Sequence, residues 1–87
     1  MTLPYTETQA EDFTVTRTFS EDIDPIELMW HRDDEDRVIE PIGQTDWLIQ
    51  LEDSLPIEIV GTINIPRHEW HRLIKGTGNL TVKITKM

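Results

Sequence analysis

The stretch that decides the fold is "FTVTRTF", residues 13–19. Phe13, Val15, Arg17 and Phe19 alternate with Thr14, Thr16 and Thr18. A period of two sends alternate side chains to opposite faces of a strand, and Thr and Phe both favour strands. The same signature recurs along the chain. "RVIEPI" (37–42), "WLIQLE" (47–52), "IEIV" (57–60), "TINI" (62–65) and "LTVKI" (80–84) all read as short strands. In the second of these Trp47, Ile49 and Leu51 are in phase, and in the last Leu80, Val82 and Ile84 face away from Thr81 and Lys83. Turn residues separate them: "SEDIDP", "DDED", "GQTD", "EDSLP", Gly61 and "KGTGN", the last with the glycine content of a hairpin turn. No segment has a long helical period. Short strands at intervals of roughly 8 to 12 residues predict an all-β sandwich or barrel.

Two stretches read both ways. "IELMWHR" (26–32) follows Asp24, a good N-cap, and Pro25, which suits the first position of a helix. It also alternates as a strand would, with Ile26, Leu28 and Trp30 against Met29 and His31. "PRHEWHRLI" (66–74) is ambiguous in the same way. Residues 1–10 are polar and read as an extended or disordered arm. Residues 11–87 then form a single domain.

Composition narrows the function. In a chain of 87 residues the core is small, and a homodimer would bury more surface and cover open strand edges. The absence of cysteine excludes disulfides, thiolate metal sites and cysteine nucleophiles. A net charge of −9 argues against nucleic acid, which is bound by neutralising phosphates. The sequence shows no basic start followed by an apolar run and no apolar stretch near the ~20 residues of a membrane span, so it reads as soluble and cytoplasmic.

The chain has three histidines, and two of them stand in the same triplet: "MWHR" at 29–32 and "EWHR" at 69–72. The flanks do not match, so this is no repeat. It suggests two strands converging on one interior. Downstream of His31, four residues intervene before Asp36 and six more before Gly43. Pro66 precedes His71 with four intervening.

On these residues the chain resembles a small single-domain cupin, the double-stranded β-helix barrel. The first cupin motif places a His-x-His pair ahead of a Glu and a closing Gly; the second runs Gly, Pro, Gly, His, Asn. His31 matches the second histidine of the first motif, Asp36 the Glu and Gly43 the closing Gly. Pro66 and His71 match the second motif, with Gly61 one residue off the usual spacing. Met29 replaces the first histidine, His68 the inner Gly and Lys75 the Asn. An alternative register makes His31 and Asp33 the His-x-His pair, with Asp36 then one residue early. The run from Trp30 to Gly76 also looks like small cupin-like proteins encoded by tailed phages of marine bacteria, which would place it in a host cytoplasm.

The resemblance implies an all-β, cupin-like double-stranded β-helix barrel with His31, Asp36 and His71 pointing inward. Two neutral imidazoles and a carboxylate suit Fe, Mn, Ni or Zn, with positions open for a ligand. Without a metal, the same residues would hold a small polar ligand or simply pack. Met29 is a poor donor to such ions but belongs to the site's lining, as do Trp47 and Gln50 if Gln50 faces inward. Trp30 and Trp70, with Trp47, otherwise suit the core or a dimer interface. Arg32, Arg37 and Arg72 each follow a site residue, so on strands they point away from it. They would pair with the acidic loop or form an anion-binding rim. "HEWH" (68–71) is one residue short of a helical His-Glu-x-x-His zinc site, which leaves His68 as a turn residue at the rim. The functions left open are a metal-dependent enzyme, a non-catalytic ligand-binding barrel, and an interaction or assembly scaffold.

Overall fold

The computed structural model describes residues 5–87. Its elements are β1 (Thr6–Glu11), β2 (Thr14–Phe19), a single 3-10 turn (Pro25–Glu27), β3 (Arg37–Pro41), β4 (Leu48–Leu51), β5 (Ile57–Glu58), β6 (Ile63–Ile65), β7 (His71–Ile74) and β8 (Leu80–Lys86). They form a five-stranded sheet in the order β1-β2-β8-β3-β6 and a three-stranded sheet in the order β5-β4-β7. Every strand pair is antiparallel. The core lies between the sheets, as expected where each presents one apolar face.

The alternation in the sequence is the alternation of the sheets. Val15, Phe19, Leu80, Val82 and Ile84 are buried, as are Ile39, Ile63 and Ile65 on β3 and β6. Thr18 and Thr81 meet on the outer face of β2 and β8, their hydroxyls 3.1 Å apart. In the smaller sheet Ile49 is buried, and Trp47, just before β4, is fully buried against Phe19. The Trp47 indole N–H donates to the Gly78 carbonyl at 3.0 Å, so its one polar atom is satisfied.

Several expectations change. Phe13 is not the first inward residue of β2; it sits in the β1–β2 turn with φ of 64° and its ring exposed. Strand β1 takes in the second half of the segment read as an arm, its register running from Thr6 opposite Thr18 to Glu11 opposite Thr14. Residues 1–4 of that arm lie outside the described residues. "KGTGN" is not a hairpin turn, because β7 and β8 belong to different sheets. It is a crossover, pinned where Asp46 accepts from the Thr77 N–H and hydroxyl, both at 2.7 Å. Gly76 passes so close that a Cβ would lie 2.7 Å from the Trp47 nitrogen, which only glycine allows.

Each ambiguous stretch is a composite. The Asp24 carboxylate accepts from the Ile26 N–H at 3.0 Å and starts one helical turn with Pro25. The chain then runs on without regular structure to His31, which forms an isolated antiparallel bridge with His71. In the second stretch a turn through His68, with φ of 66°, leads into β7. Among the described residues no helix is long and apolar enough to cross a membrane.

Candidate metal centre

The bridge between His31 and His71 explains the duplicated triplet. Two backbone bonds close it, His31 N to His71 O at 3.0 Å and His71 N to His31 O at 2.9 Å. The chains are antiparallel, so Trp30 falls beside Arg72 and Arg32 beside Trp70. Both pairs stack, the guanidinium carbons 4.9 and 5.2 Å from the ring centroids. The two imidazoles share the other face, their rings 4.2 Å apart and nearly edge to face. Identical triplets thus build an approximately symmetric unit, with histidines inward and stacked Trp–Arg pairs outward.

Each histidine is oriented in the same way. His71 Nδ1 lies 2.8 Å from the Glu69 carbonyl and His31 Nδ1 3.1 Å from that of Met29. A carbonyl only accepts, so each Nδ1 carries a proton and each ring turns its Nε2 to the cavity. This is how metal-binding histidines are usually fixed from behind. Burial holds the His71 imidazole below its ordinary pKa. Its bond to the Glu69 carbonyl and the nearby Asp33 charge oppose that shift, while His31 and Arg37 reinforce it.

The third member is Asp33. Its Oδ2 lies 3.3 Å from His71 Nε2, and Arg37 Nη1 lies 3.3 Å from its Oδ1. One ligand atom from each of His31, Asp33 and His71 lies within 4.8 Å of the others. Asp33 Oδ2 is buried without a hydrogen-bond donor among the described residues. With His71 neutral and its proton on Nδ1, Nε2 and Oδ2 are two acceptors facing each other. A buried carboxylate oxygen left so is costly. A divalent cation between the three would satisfy them together, and the donor set fits Fe, Mn, Ni or Zn.

Asp36, expected in this role, is elsewhere. Its Oδ1 accepts from the Arg67 N–H at 2.8 Å, and its carbonyl accepts from Met87. The spacing that selected it assumes an unbroken strand after His31, whereas β3 begins only at Arg37. The His31-x-Asp33 alternation was the signal for the carboxylate now in place. The backbone holds it there, since His68 N–H donates to the Asp33 carbonyl at 2.8 Å.

A cavity of about 330 Å³ opens beside the cluster, with His31, Asp33 and His71 in its wall. Met29 also lines it, with 71% of its surface exposed. Trp47 does not, being packed in the core. Gln50 lies on the outer face, because the pleat that turns Ile49 inward turns Gln50 out; its Oε1 accepts from Arg72 Nε at 2.9 Å. Arg32 and Arg72 point away from the histidines, as strand alternation requires. Arg37 does not: it lines the cavity, and its Nε and Nη2 both donate to Glu35 Oε1. Arg17, read only as a strand position, is a cavity residue too.

Solved structures share this fold. A chain from a study of the DMSP lyases RdDddP and RnDddQII superposes with a TM-score of 0.67 at 15% identity, over 84% of this chain and 36% of that one. A cupin domain from Bordetella pertussis Tohama I superposes with a TM-score of 0.56 at 15% identity, over 100% of this chain and 98% of that one. The fold is a cupin-like β-barrel. An iron(II) form of HppE matches as well, with a TM-score of 0.64 at 11% identity over 85% of this chain and 41% of that one. The chain thus spans about a third of the lyase chain and the whole of a compact cupin domain. No protein-family model matches the sequence, and no curated protein does.

Proposed function

We propose that this cupin barrel binds a divalent metal through His31, Asp33 and His71 and presents it to a small ligand in the adjoining cavity. The observation that carries the reading is the buried, donorless Oδ2 of Asp33 beside two imidazoles whose Nδ1 atoms are already committed. Two histidines and a carboxylate on one face leave coordination positions open, as in non-haem iron sites. A metal held there would supply Lewis acidity toward a bound oxygen atom. The chain's own part is to fix both rings through the Met29 and Glu69 carbonyls, to set Asp33 beside Arg37, and to surround the site with apolar wall. That the barrel also pairs with a second copy is part of the proposal. The supporting features are the fully exposed edge strand β1 and the exposed Leu55, Ile57 and Val60 around β5.

Elemental analysis of protein loaded with Fe(II), Mn(II), Ni(II) or Zn(II) tests the metal. One equivalent, lost in Asp33→Asn and His71→Ala but kept in Asp36→Asn, is the expected result. A protein that takes up none of the four, or an Asp36→Asn variant that loses the metal while Asp33→Asn keeps it, would overturn the reading. Light scattering at micromolar concentration tests the pairing, and a monomer mass would reject it.

A further inference from the structure

Two arginines line the cavity, and they are committed very differently. Arg37 spends Nε and Nη2 on Glu35 and places Nη1 beside Asp33, so the protein engages all its nitrogens. Arg17 stands on the inward face of β2 between Val15 and Phe19, only 9% exposed. Glu7, opposite it on β1, takes the Nε and Nη2 protons on one oxygen at 2.9 and 2.6 Å. The Tyr5 ring covers a face of the guanidinium at 3.9 Å. A guanidinium carries five N–H donors. Those of Nη1, and the second on Nη2, have no acceptor among the described residues.

Glu7 pairs the charge itself at 2.6 Å, so what Arg17 keeps is unused donor capacity. Here the unspent edge is the end-on pair Nη1 and Nη2, the geometry that receives a carboxylate bidentately. Around it the wall is aliphatic: Val82 lies opposite Arg17 in the sheet register, and Ile39, Ile65 and Ile84 follow. A cavity near 330 Å³ is at the small end of ligand sites, which begin at roughly 300 Å³. Asp33 and Glu27 also line it and disfavour an anion, so a cation at the cluster would strengthen binding. We propose that Arg17 anchors the carboxylate of a short aliphatic acid, with the chain against the isoleucine and valine wall. This deepens the reading of the cavity as a ligand site beside the metal cluster, and rests on it.

Calorimetric titration of 4-methylpentanoate against the uncharged 4-methylpentan-1-ol tests it, in chelator-treated and in Zn(II)-loaded protein. The expected result is at least a tenfold preference for the acid in both forms, erased in Arg17→Met. Glu7→Gln, at a partly exposed position, should bind the acid several-fold more tightly because the amide oxygen can still accept from Arg17 while the carboxylate charge that competes with the ligand is gone. A preference that survives Arg17→Met, or saturable acid binding in neither form, overturns the proposal. Acid binding that needs zinc and ignores Arg17 puts the carboxylate on the metal instead, which also overturns it. An Arg17-dependent preference in a protein that takes up no zinc sustains the anchor while the metal reading fails. Should Arg17→Met unfold, Glu7→Gln decides alone: unchanged or weaker acid affinity counts against Arg17.

Discussion

The two Trp-His-Arg triplets share a sequence and a local geometry but not a support. His71 opens β7, is paired to Leu51 of β4, and is 5% exposed. His31 lies in a segment without regular structure, is exposed, and touches a strand only through its bridge to His71. Both bond a carbonyl two residues back and turn Nε2 to the same point. One histidine is therefore placed by the sheet, and the other is placed by the first. A two-sided site can be built on one rigid side if the second is tied to it by backbone and stacked side chains.

The largest break in this comparison comes from removing a ligand. Asp33→Asn, His31→Ala and His71→Ala should each weaken Zn(II) binding by roughly a hundredfold or more, since removal of a metal's outer-shell partners alone costs 10–100-fold. The metal-free variants should differ sharply in stability. His71→Ala leaves the Glu69 carbonyl without its donor in a half-enclosed site and should cost about 2 kcal/mol. His31→Ala should stay within about 0.5 kcal/mol, as surface changes do. Denaturant titration of both, in chelator, checks the contrast; equal losses would contradict it.

The pH dependence sharpens the same asymmetry. Burial depresses His71 in the folded state below its ordinary value of about 6.5. A folded imidazole that resists protonation leaves stability intact above that value, and stability falls as pH drops through it toward the folded pKa. The melting temperature of chelated protein should therefore decline between about pH 7 and pH 5.5, where carboxylates still contribute little. His71→Gln should flatten the decline. A slope unchanged in that variant would assign it to other groups.

Most of the fold was legible because β2 and β8 obey a strict period of two, and burial follows it from Val15 to Phe19 and from Leu80 to Ile84, with Thr14 buried out of phase. The crossover at Gly76–Gly78 was misread as a hairpin because glycine signals a turn without saying which strands it joins. In the candidate site both histidines could be named from the sequence, and the carboxylate the structure sets beside them is Asp33 rather than the Asp36 that spacing selected. Counting residues from His31 works only if the strand continues, and the Asp33–Asp36 loop interrupts it. Arg17 passed as one polar member of an alternating strand, since nothing in "TVTRTF" says which face closes over a cavity. Gln50 could be placed only once the phase of Trp47 and Ile49 fixed the pleat.

His68 gives a test in the favourable direction. Its φ of 66° is the left-handed conformation that favours glycine, the residue that the resemblance drawn from the sequence would put there. The same residue hydrogen-bonds the Asp33 carbonyl through its backbone, so glycine would keep the bond and relieve the side chain. His68→Gly should gain up to about 1 kcal/mol, the scale of a left-handed penalty reduced by added chain entropy in the unfolded state. Metal affinity should not change. A loss of stability would mean that the 3.6 Å contact of His68 with Asp34 outweighs the backbone relief.

The smallest effect concerns the outer face of the bridge. If the Trp–Arg pairs help hold the His31 segment to β7, each should show a coupling energy in a double-mutant cycle, about 0.5–1 kcal/mol for an exposed cation–π contact. They should not be equal. Arg72 is also fixed by Gln50 and lies 4.9 Å from Trp30, whereas Arg32 lies 5.2 Å from Trp70 and sits in the looser segment. The Trp30–Arg72 cycle should therefore give the larger value, and Gln50→Ala should reduce it toward that of Arg32–Trp70. Equal couplings that ignore Gln50 would show the His31 segment to be held by the two backbone bonds alone.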